Sequence, residues 1–245
     1  MKKAVVMGAS SGIGMEVAKL LLAEGWEIGV AARRTDLLGQ LKDTAPERVT
    51  AAAIDVNADG AEDLLLTLIA TLGGMDLFFY APGIGWQNPT LEPDKENSTV
   101  VTNALGFTRM VGTAFRYMAT HGGGHIAAIT SIAGTKGLGP APAYSATKAF
   151  QNTYIQALEQ QANARKLNIR FTDLRPGFVD TALLGDGNHY PMLLRKENVA
   201  HEMVEAIRHN KHIWIIDWRW RILTALWRRI PRCVWRHLSL KTKSS

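Results

Sequence analysis

A single cysteine, Cys233, excludes an intramolecular disulfide and any cysteine-based metal cluster. The seven histidines show no ligand spacing, so no metal site is expected. Nowhere do about 20 apolar residues run together, the length a helix needs to cross a bilayer. Lys2 and Lys3 precede only a short apolar stretch, too short for a signal-peptide core, and a cytoplasmic protein is the simplest expectation. Low-complexity sequence is absent and 47% of the 245 residues are apolar, so order is expected up to the extreme C-terminus. Acid is scarce at one end only. Residues 211–245 hold nine lysines and arginines against Asp217 alone, whereas residues 1–210 hold nineteen against twenty-one acids. The net charge of +6 therefore belongs to the tail. No nucleic-acid-reading motif accompanies it, so no specific nucleic-acid partner is expected.

What the chain has is alternation. Apolar runs bounded by turn residues occur at residues 4–7, 27–31, 49–55, 75–80, 125–130, 169–174 and 213–216. Segments of helical spacing lie between them, among them 13–23, 61–72, 100–118, 143–164 and 199–209. Strands alternating with helices imply parallel pairing with right-handed crossovers. The expected fold is α/β: three layers, a doubly wound parallel sheet of about seven strands, ligand bound at the strands' carboxyl ends. The first strand runs directly into Gly8-Ala9-Ser10-Ser11-Gly12-Ile13-Gly14 and then a helical pattern. Glycines there permit close backbone approach, and the first N–H groups of the helix face an anion such as a pyrophosphate. The spacing is G-x-x-x-G-x-G, not the common G-x-G-x-x-G fingerprint. Further on, Tyr144 and Lys148 stand four apart and share one helix face. An ammonium beside a phenol favours the phenolate and lowers the tyrosine's pKa from about 10, which suits proton transfer near neutral pH.

These segments together resemble the short-chain dehydrogenases/reductases in their single-domain form. The likeness rests on Gly8 to Gly14, Asp55-Val56, Asn103, Thr130-Ser131-Ile132-Ala133-Gly134, Tyr144-Ser145-Ala146-Thr147-Lys148 and Arg175-Pro176-Gly177-Phe178-Val179-Asp180-Thr181, in order over residues 1–217. It implies a Rossmann-fold enzyme that transfers a hydride between a nicotinamide and a carbonyl or secondary alcohol. Tyr144 would protonate the developing alkoxide and Ser131 would hydrogen-bond the same oxygen. Lys148 would bind the nicotinamide ribose and lower the Tyr144 pKa, and Asn103 would hold a water linking Lys148 to solvent. Around the cofactor the likeness places Gly8, Ser10, Ser11, Gly12, Ile13 and Gly14, then Asp55 and Val56 at the adenine, Ala81 and Gly83, and Pro176, Gly177, Val179 and Thr181 at the nicotinamide. Two departures stand out: Tyr80-Ala81-Pro82-Gly83 replaces Asn-Asn-Ala-Gly, and Met7 replaces a threonine. The acid that holds the ribose 2′-hydroxyl in NAD-using relatives falls on Ala32, followed by Arg33 and Arg34. Without a carboxylate a 2′-phosphate is not repelled, and Arg33 can pair with it, so NADP(H) is the preferred cofactor and NAD(H) the second. The rival class is a non-catalytic dinucleotide-binding sensor or scaffold. Relatives form homodimers or homotetramers, and the partner otherwise expected is a small carbonyl or alcohol.

Residues 182–198 fall where the family puts a substrate lid. Leu183, Leu184, Tyr190, Met192, Leu193 and Leu194 there, with Gly185, Asp186 and Gly187 between, suit a mobile apolar flap over a lipophilic substrate. Trp86 and residues 139–143 would complete the pocket. Residues 218–245 form a basic, tryptophan-rich segment beyond the catalytic domain of residues 1–217. On a helix Ile222, Leu223, Leu226, Trp227, Ile230, Val234 and Leu238 cluster opposite Arg221, Arg228, Arg232 and Arg236, with Pro231 as a break. Peripheral attachment of residues 218–238 to an anionic membrane, at its inner face, is one expectation. Docking of the same helix on its own domain or on a second subunit is the other.

Overall fold

Near-continuous apolar runs need cover on both faces, and a parallel sheet with helices above and below supplies it. The computed structural model describes residues 1–184 and 190–238. Its strands are β1 (Lys3–Met7), β2 (Glu27–Ala32), β3 (Val49–Ala53), β4 (Leu77–Tyr80), β5 (Gly124–Ile129), β6 (Ile169–Pro176) and β7 (Ile213–Ile216). They form one seven-stranded sheet in the order β3-β2-β1-β4-β5-β6-β7. Every pairing is parallel.

The period-2 alternation of side chains divides the core into two layers. Val6, Leu77, Phe79 and Leu174 face α1 (Gly12–Ala23) and α7 (Lys196–Arg208), with Val17, Leu21 and Met203 packed on them. Val5, Met7, Phe78 and Tyr80 face the opposite layer. There α3 (Ala61–Leu72), α5 (Phe107–Thr120) and α6 (Pro142–Ala164) contribute Leu65, Ile69, Phe107, Met110 and Ile155. Strand order reverses between β1 and β4, and at such a switch point the loops part to open a crevice at the carboxyl ends.

Two helical stretches differ from the sequence reading. The segment 100–118 is not one α-helix but α4 (Pro93–Val100), a π-turn over Val101–Gly106, and α5. At its end a Cβ on Gly106 would lie 2.9 Å from Val56 Cγ2, so the helix presses here on the turn after β3. A second helix, α2 (Thr35–Thr44), went unmarked because it buries only Leu38 and Leu41 and its apolar signal is short.

The tail folds back on its own domain. Asp217 caps α8 (Trp218–Trp227) by accepting from Arg219 N, and Pro231 begins the short α9 (Arg232–Trp235). Trp220 is buried edge-on against Phe178, ring centroids 5.5 Å apart, and covers Gly177. Trp227 Nε1 donates to Thr135 Oγ1 at 2.6 Å and Trp235 Nε1 to the Gly137 carbonyl at 2.8 Å. Lys136 Nζ reciprocates, donating to the Ile230 carbonyl at 2.7 Å. The expected apolar face is therefore corrected. Trp220, Thr224 and Trp227 turn towards the domain, while Ile222 and Leu226 join Trp218 on the outside, each more than half exposed. Helical spacing could not show this, because indole N–H groups found acceptors on the loop after β5 and set the rotation.

Candidate active site

The glycine turn after β1 has the shape its sequence demands. Gly8 sits at φ +81°, where its missing side chain lets Pro82 N approach within 3.0 Å of the Cβ position. A Cβ on Gly14 would lie 2.3 Å from the Gly8 carbonyl oxygen, so the turn closes on the start of α1. Gly12 faces the methyl of Thr181 across the crevice, which brings the glycine turn and the Pro-Gly segment together. Ser11 occupies the N-cap of α1 without capping it. Its hydroxyl is held by Arg34 Nη2 at 2.6 Å, which also reaches Ser10 Oγ at 3.2 Å. Both arginines are exposed, and Arg34 is the one that lies over the turn. A nicotinamide dinucleotide fits these residues: space for a pyrophosphate over side-chain-free backbone, an uncapped helix N-terminus and a guanidinium beside it.

Asp55 accepts from Asn57 N at 3.0 Å, and Val56 is buried beneath the π-turn. Ala81 N donates to the Met7 carbonyl, which fastens the departure from β4 to the glycine turn. The Pro82 that replaces an expected alanine is what packs on Gly8. Pro176 ends β6 beside Ile216, and Val179 pairs with Leu194 to pin the base of residues 180–193. Within the predicted lid Ala182–Leu184 form a 3-10 turn, and Tyr190 packs on Phe178 with ring centroids 4.7 Å apart. Gly185, Asp186 and Gly187 lie outside the described residues. Residues from Lys196 onward belong to α7. Gln87 Nε2 donates to Tyr190 Oη at 3.1 Å, and Asn88 N donates to the Pro140 carbonyl, so the loops expected to line the pocket adjoin, although Trp86 turns outward.

At the crevice floor the four catalytic candidates converge. Ser131 caps the turn Ile132–Thr135 after β5, and Gly134 in that turn lies so close to Lys148 that a Cβ would meet its carbonyl carbon at 2.6 Å. Tyr144 and Lys148 share a face of α6, with Lys148 Nζ 5.7 Å from the phenol ring centre. Gly85 admits that ring: a Cβ there would lie 2.3 Å from Tyr144 Cδ2. The Asn103 amide is committed to the loop after β4, accepting from Ile84 N at 2.9 Å and donating to the Ile84 carbonyl at 2.7 Å. Gly83 lies between them, its Cβ position 3.4 Å from Lys148 Nζ and 3.5 Å from Asn103 Oδ1.

The electrostatics correct one expectation. Burial pushes the Tyr144 phenol above its ordinary pKa, and a hydrogen bond with Ser131 pulls the other way. Lys148 does not offset that burial, because the ammonium is itself desolvated and its pKa is pulled down to about 7, with Asp173 opposing. Its donors point at the Ile129 carbonyl, 3.2 Å away, and Gln151 Oε1, 3.0 Å away. Lys148 and Asn103 are also joined through Gln151, whose Nε2 donates to the Asn103 carbonyl at 2.8 Å. Sequence reading missed Gln151 because a glutamine one turn past a lysine carries no signal of its own.

The model of a family described as short chain dehydrogenase matches residues 2–191. An uncharacterized oxidoreductase of Myxococcus xanthus is 31% identical over 212 residues, 84% of this chain and 82% of that protein. One of Staphylococcus aureus is 30% identical over 217 residues, 86% of this chain and 93% of its own. Among solved structures, an alcohol dehydrogenase from the archaeon Thermococcus sibiricus, complexed with 5-hydroxy-NADP, superposes with a TM-score of 0.77 at 22% identity. That match covers 88% of this chain and 96% of the other. The serine dehydrogenase of Escherichia coli gives a TM-score of 0.74 at 23% identity over 87% and 96%. At these identities the solved structures speak for the fold.

The depressed Lys148 pKa has a consequence for stability. The unfolded lysine holds its proton to about pH 10.4 and the folded one only to about 7, so between those values the unfolded chain binds more protons and stability rises with pH. The melting-temperature difference between the wild type and Lys148→Met, measured without cofactor, should move in favour of the wild type from pH 7 to pH 10. A difference that stays constant over that range would count against a desolvated ammonium.

Proposed function

The chain belongs to the short-chain dehydrogenase family, and from that premise we propose an NADP(H)-preferring reductase of lipophilic carbonyl compounds, working reversibly on the secondary alcohols. It is an oxidoreductase acting on CH–OH groups. The observation that carries the finer reading is that Ser131 adjoins Tyr144, Tyr144 adjoins Lys148, and Lys148 and Asn103 meet at Gly83 beside the glycine turn. When bound, the nicotinamide cofactor donates or accepts the hydride. Tyr144 Oη holds the proton that the substrate oxygen takes in reduction, and burial keeps it protonated until then. Ser131 Oγ hydrogen-bonds the same oxygen and orients it. Lys148 places a cation near the phenol and offers its remaining donor to the ribose side of the crevice.

NADP(H) preference is supported by Ala32, which leaves no carboxylate at the end of β2, and by Arg34 poised on Ser10 and Ser11. Arg34 rather than Arg33 is the better-placed partner for a 2′-phosphate. Apolar residues Leu183, Tyr190 and Leu193 around the predicted lid support a lipophilic substrate. Steady-state oxidation of NADPH by a panel of ketones tests both levels. Tyr144→Phe should cost on the order of 100-fold or more in kcat, the scale of general acid catalysis, with NADPH affinity nearly unchanged. Ala32→Asp should shift preference towards NADH. Retained turnover in Tyr144→Phe would leave the non-catalytic dinucleotide-binding reading, and equal kcat/KM for both cofactors in the wild type would remove the NADP(H) preference.

We further propose that residues 218–238 attach the catalytic domain, residues 1–217, to an anionic membrane. No helix among the described residues is long and apolar enough to cross a bilayer. The support is the outward stripe of Trp218, Ile222 and Leu226, with Val234 and Leu238 also exposed, among six arginines and no acid. Each basic residue near an anionic surface contributes about 1 kcal/mol. Phosphatidylserine vesicles should co-sediment the protein at low salt, and salt or the double change Ile222→Asp, Leu226→Asp should release it. Failure to sediment at low salt would eliminate the membrane reading. A dimer in solution that the same double change dissociates would assign the stripe to a second copy.

A further inference from the structure

Lys148 is 4% exposed, and at such burial its N–H groups need acceptors, since an unpaired buried charge is among the costliest arrangements in a protein. Two acceptors are in place: the Ile129 carbonyl at the end of β5 and the Gln151 side chain one helical turn along α6. Gln151 is fully buried. Its amide nitrogen is spent on the main-chain carbonyl of Asn103, inside the π-turn between α4 and α5. The carboxamide thus joins the lysine of α6 to the backbone of the residue whose own side chain holds the loop after β4. The other groups facing the ammonium are otherwise engaged. Asp173 of β6 is bound by Thr130 and Arg175, and the Asn103 amide oxygen accepts from Ile84. Tyr144 has its ring centre 5.7 Å from Nζ.

We propose that Gln151 is the positioning residue of this active site: its carboxamide fixes the Lys148 ammonium and ties it to the Asn103 carbonyl. The inference rests on the hydride-transfer reading above and goes beyond it. A carboxamide neither gives up nor accepts a whole proton near neutral pH, so it holds Lys148 but cannot relay a proton. The bland alternative is a satisfied buried amide that only knits α6 to the π-turn. The two differ in what a change of residue does to Lys148.

Gln151→Met keeps the length of the side chain and removes both hydrogen bonds. Gln151→Glu keeps an acceptor and adds a charge beside the ammonium. Fold integrity is read by circular dichroism, and NADPH affinity by fluorescence titration. If Gln151 positions Lys148, Met should lower kcat about tenfold or more and weaken NADPH binding. The limb of the kcat–pH profile that reports Lys148 should move about one unit down in Met and about one unit up in Glu. A merely structural amide would lower the melting temperature in Met while leaving both the profile and NADPH affinity where they were. The cofactor-free protein supplies a readout independent of turnover: the pH at which stability begins to rise should fall in Met and climb in Glu relative to wild type. Unshifted onsets and unshifted limbs in both variants overturn the proposal. Shifted onsets in a protein that reduces no ketone would preserve the placement of Lys148 and reject the hydride-transfer reading instead.

Discussion

A desolvated ammonium at the end of a crevice organises everything around it. Lys148 needs acceptors that water would otherwise provide, and the chain brings them from β5, from the next turn of α6 and, at longer range, from the Asp173 carboxylate. Each acceptor constrains its own element. The Ile129 carbonyl must end β5 at a fixed depth, and Gln151 must reach the π-turn, which widens the helix where its amide bonds. Gly85 and Gly134 follow from the same demand, because α6 can bring Tyr144 and Lys148 to the crevice only where facing backbone has no side chain. The glycines here are consequences of a buried cation and a buried phenol, not independent features.

Beneath this site lies a second charged arrangement, largely buried. Asp173 and Arg175 pair along β6, and Thr130 donates to the same carboxylate. Replacing such a pair by apolar residues is often neutral for stability, but removing one partner strands the other. The arrangement also sets the charge seen by Lys148, since Asp173 acts against the desolvation that lowers its pKa. The arginine and proline that end β6 thus do different work: Arg175 holds the carboxylate in register, and Pro176 turns the chain into the segment that meets Gly12 through Thr181.

How much of this was legible depends on whether a residue type dictates a partner. The seven strands read directly, because a run such as Leu77–Tyr80 has no stable place except between two layers of helices. Ser131, Tyr144, Lys148 and Asn103 read through their intervals, and the structure brings all four to one point. The π-turn did not read, since nothing in Val-Thr-Asn-Ala-Leu-Gly separates it from an α-helix; its cause is packing on Val56 and Gln151's amide. Sequence pointed to Arg33 as the partner of a 2′-phosphate, whereas Arg34 folds over the glycine turn, because which guanidinium does so depends on where α2 begins. The Tyr144 pKa was misjudged for a related reason. Spacing shows that a lysine is near, but not that the lysine is as desolvated as the phenol it should assist.

The tail brings the same point to the surface of the molecule. Its five tryptophans lie between Trp214 and Trp235, and amphipathic spacing treats them all alike. Hydrogen bonding does not. Trp227 and Trp235 carry donors that the loop after β5 can satisfy, and Trp220 fills the space that Gly177 leaves, so these three fasten the tail. Trp218 joins Ile222 and Leu226 outside. Membrane attachment and docking on the domain exclude each other only where a helix has a single apolar face. Here α8 has two: one spent on the domain beside the Pro-Gly segment and one left outward. Docking therefore does not argue against a lipid surface. It fixes the outward stripe rigidly to the loop after β5, so that whatever occupies the stripe is held in a defined orientation to the crevice.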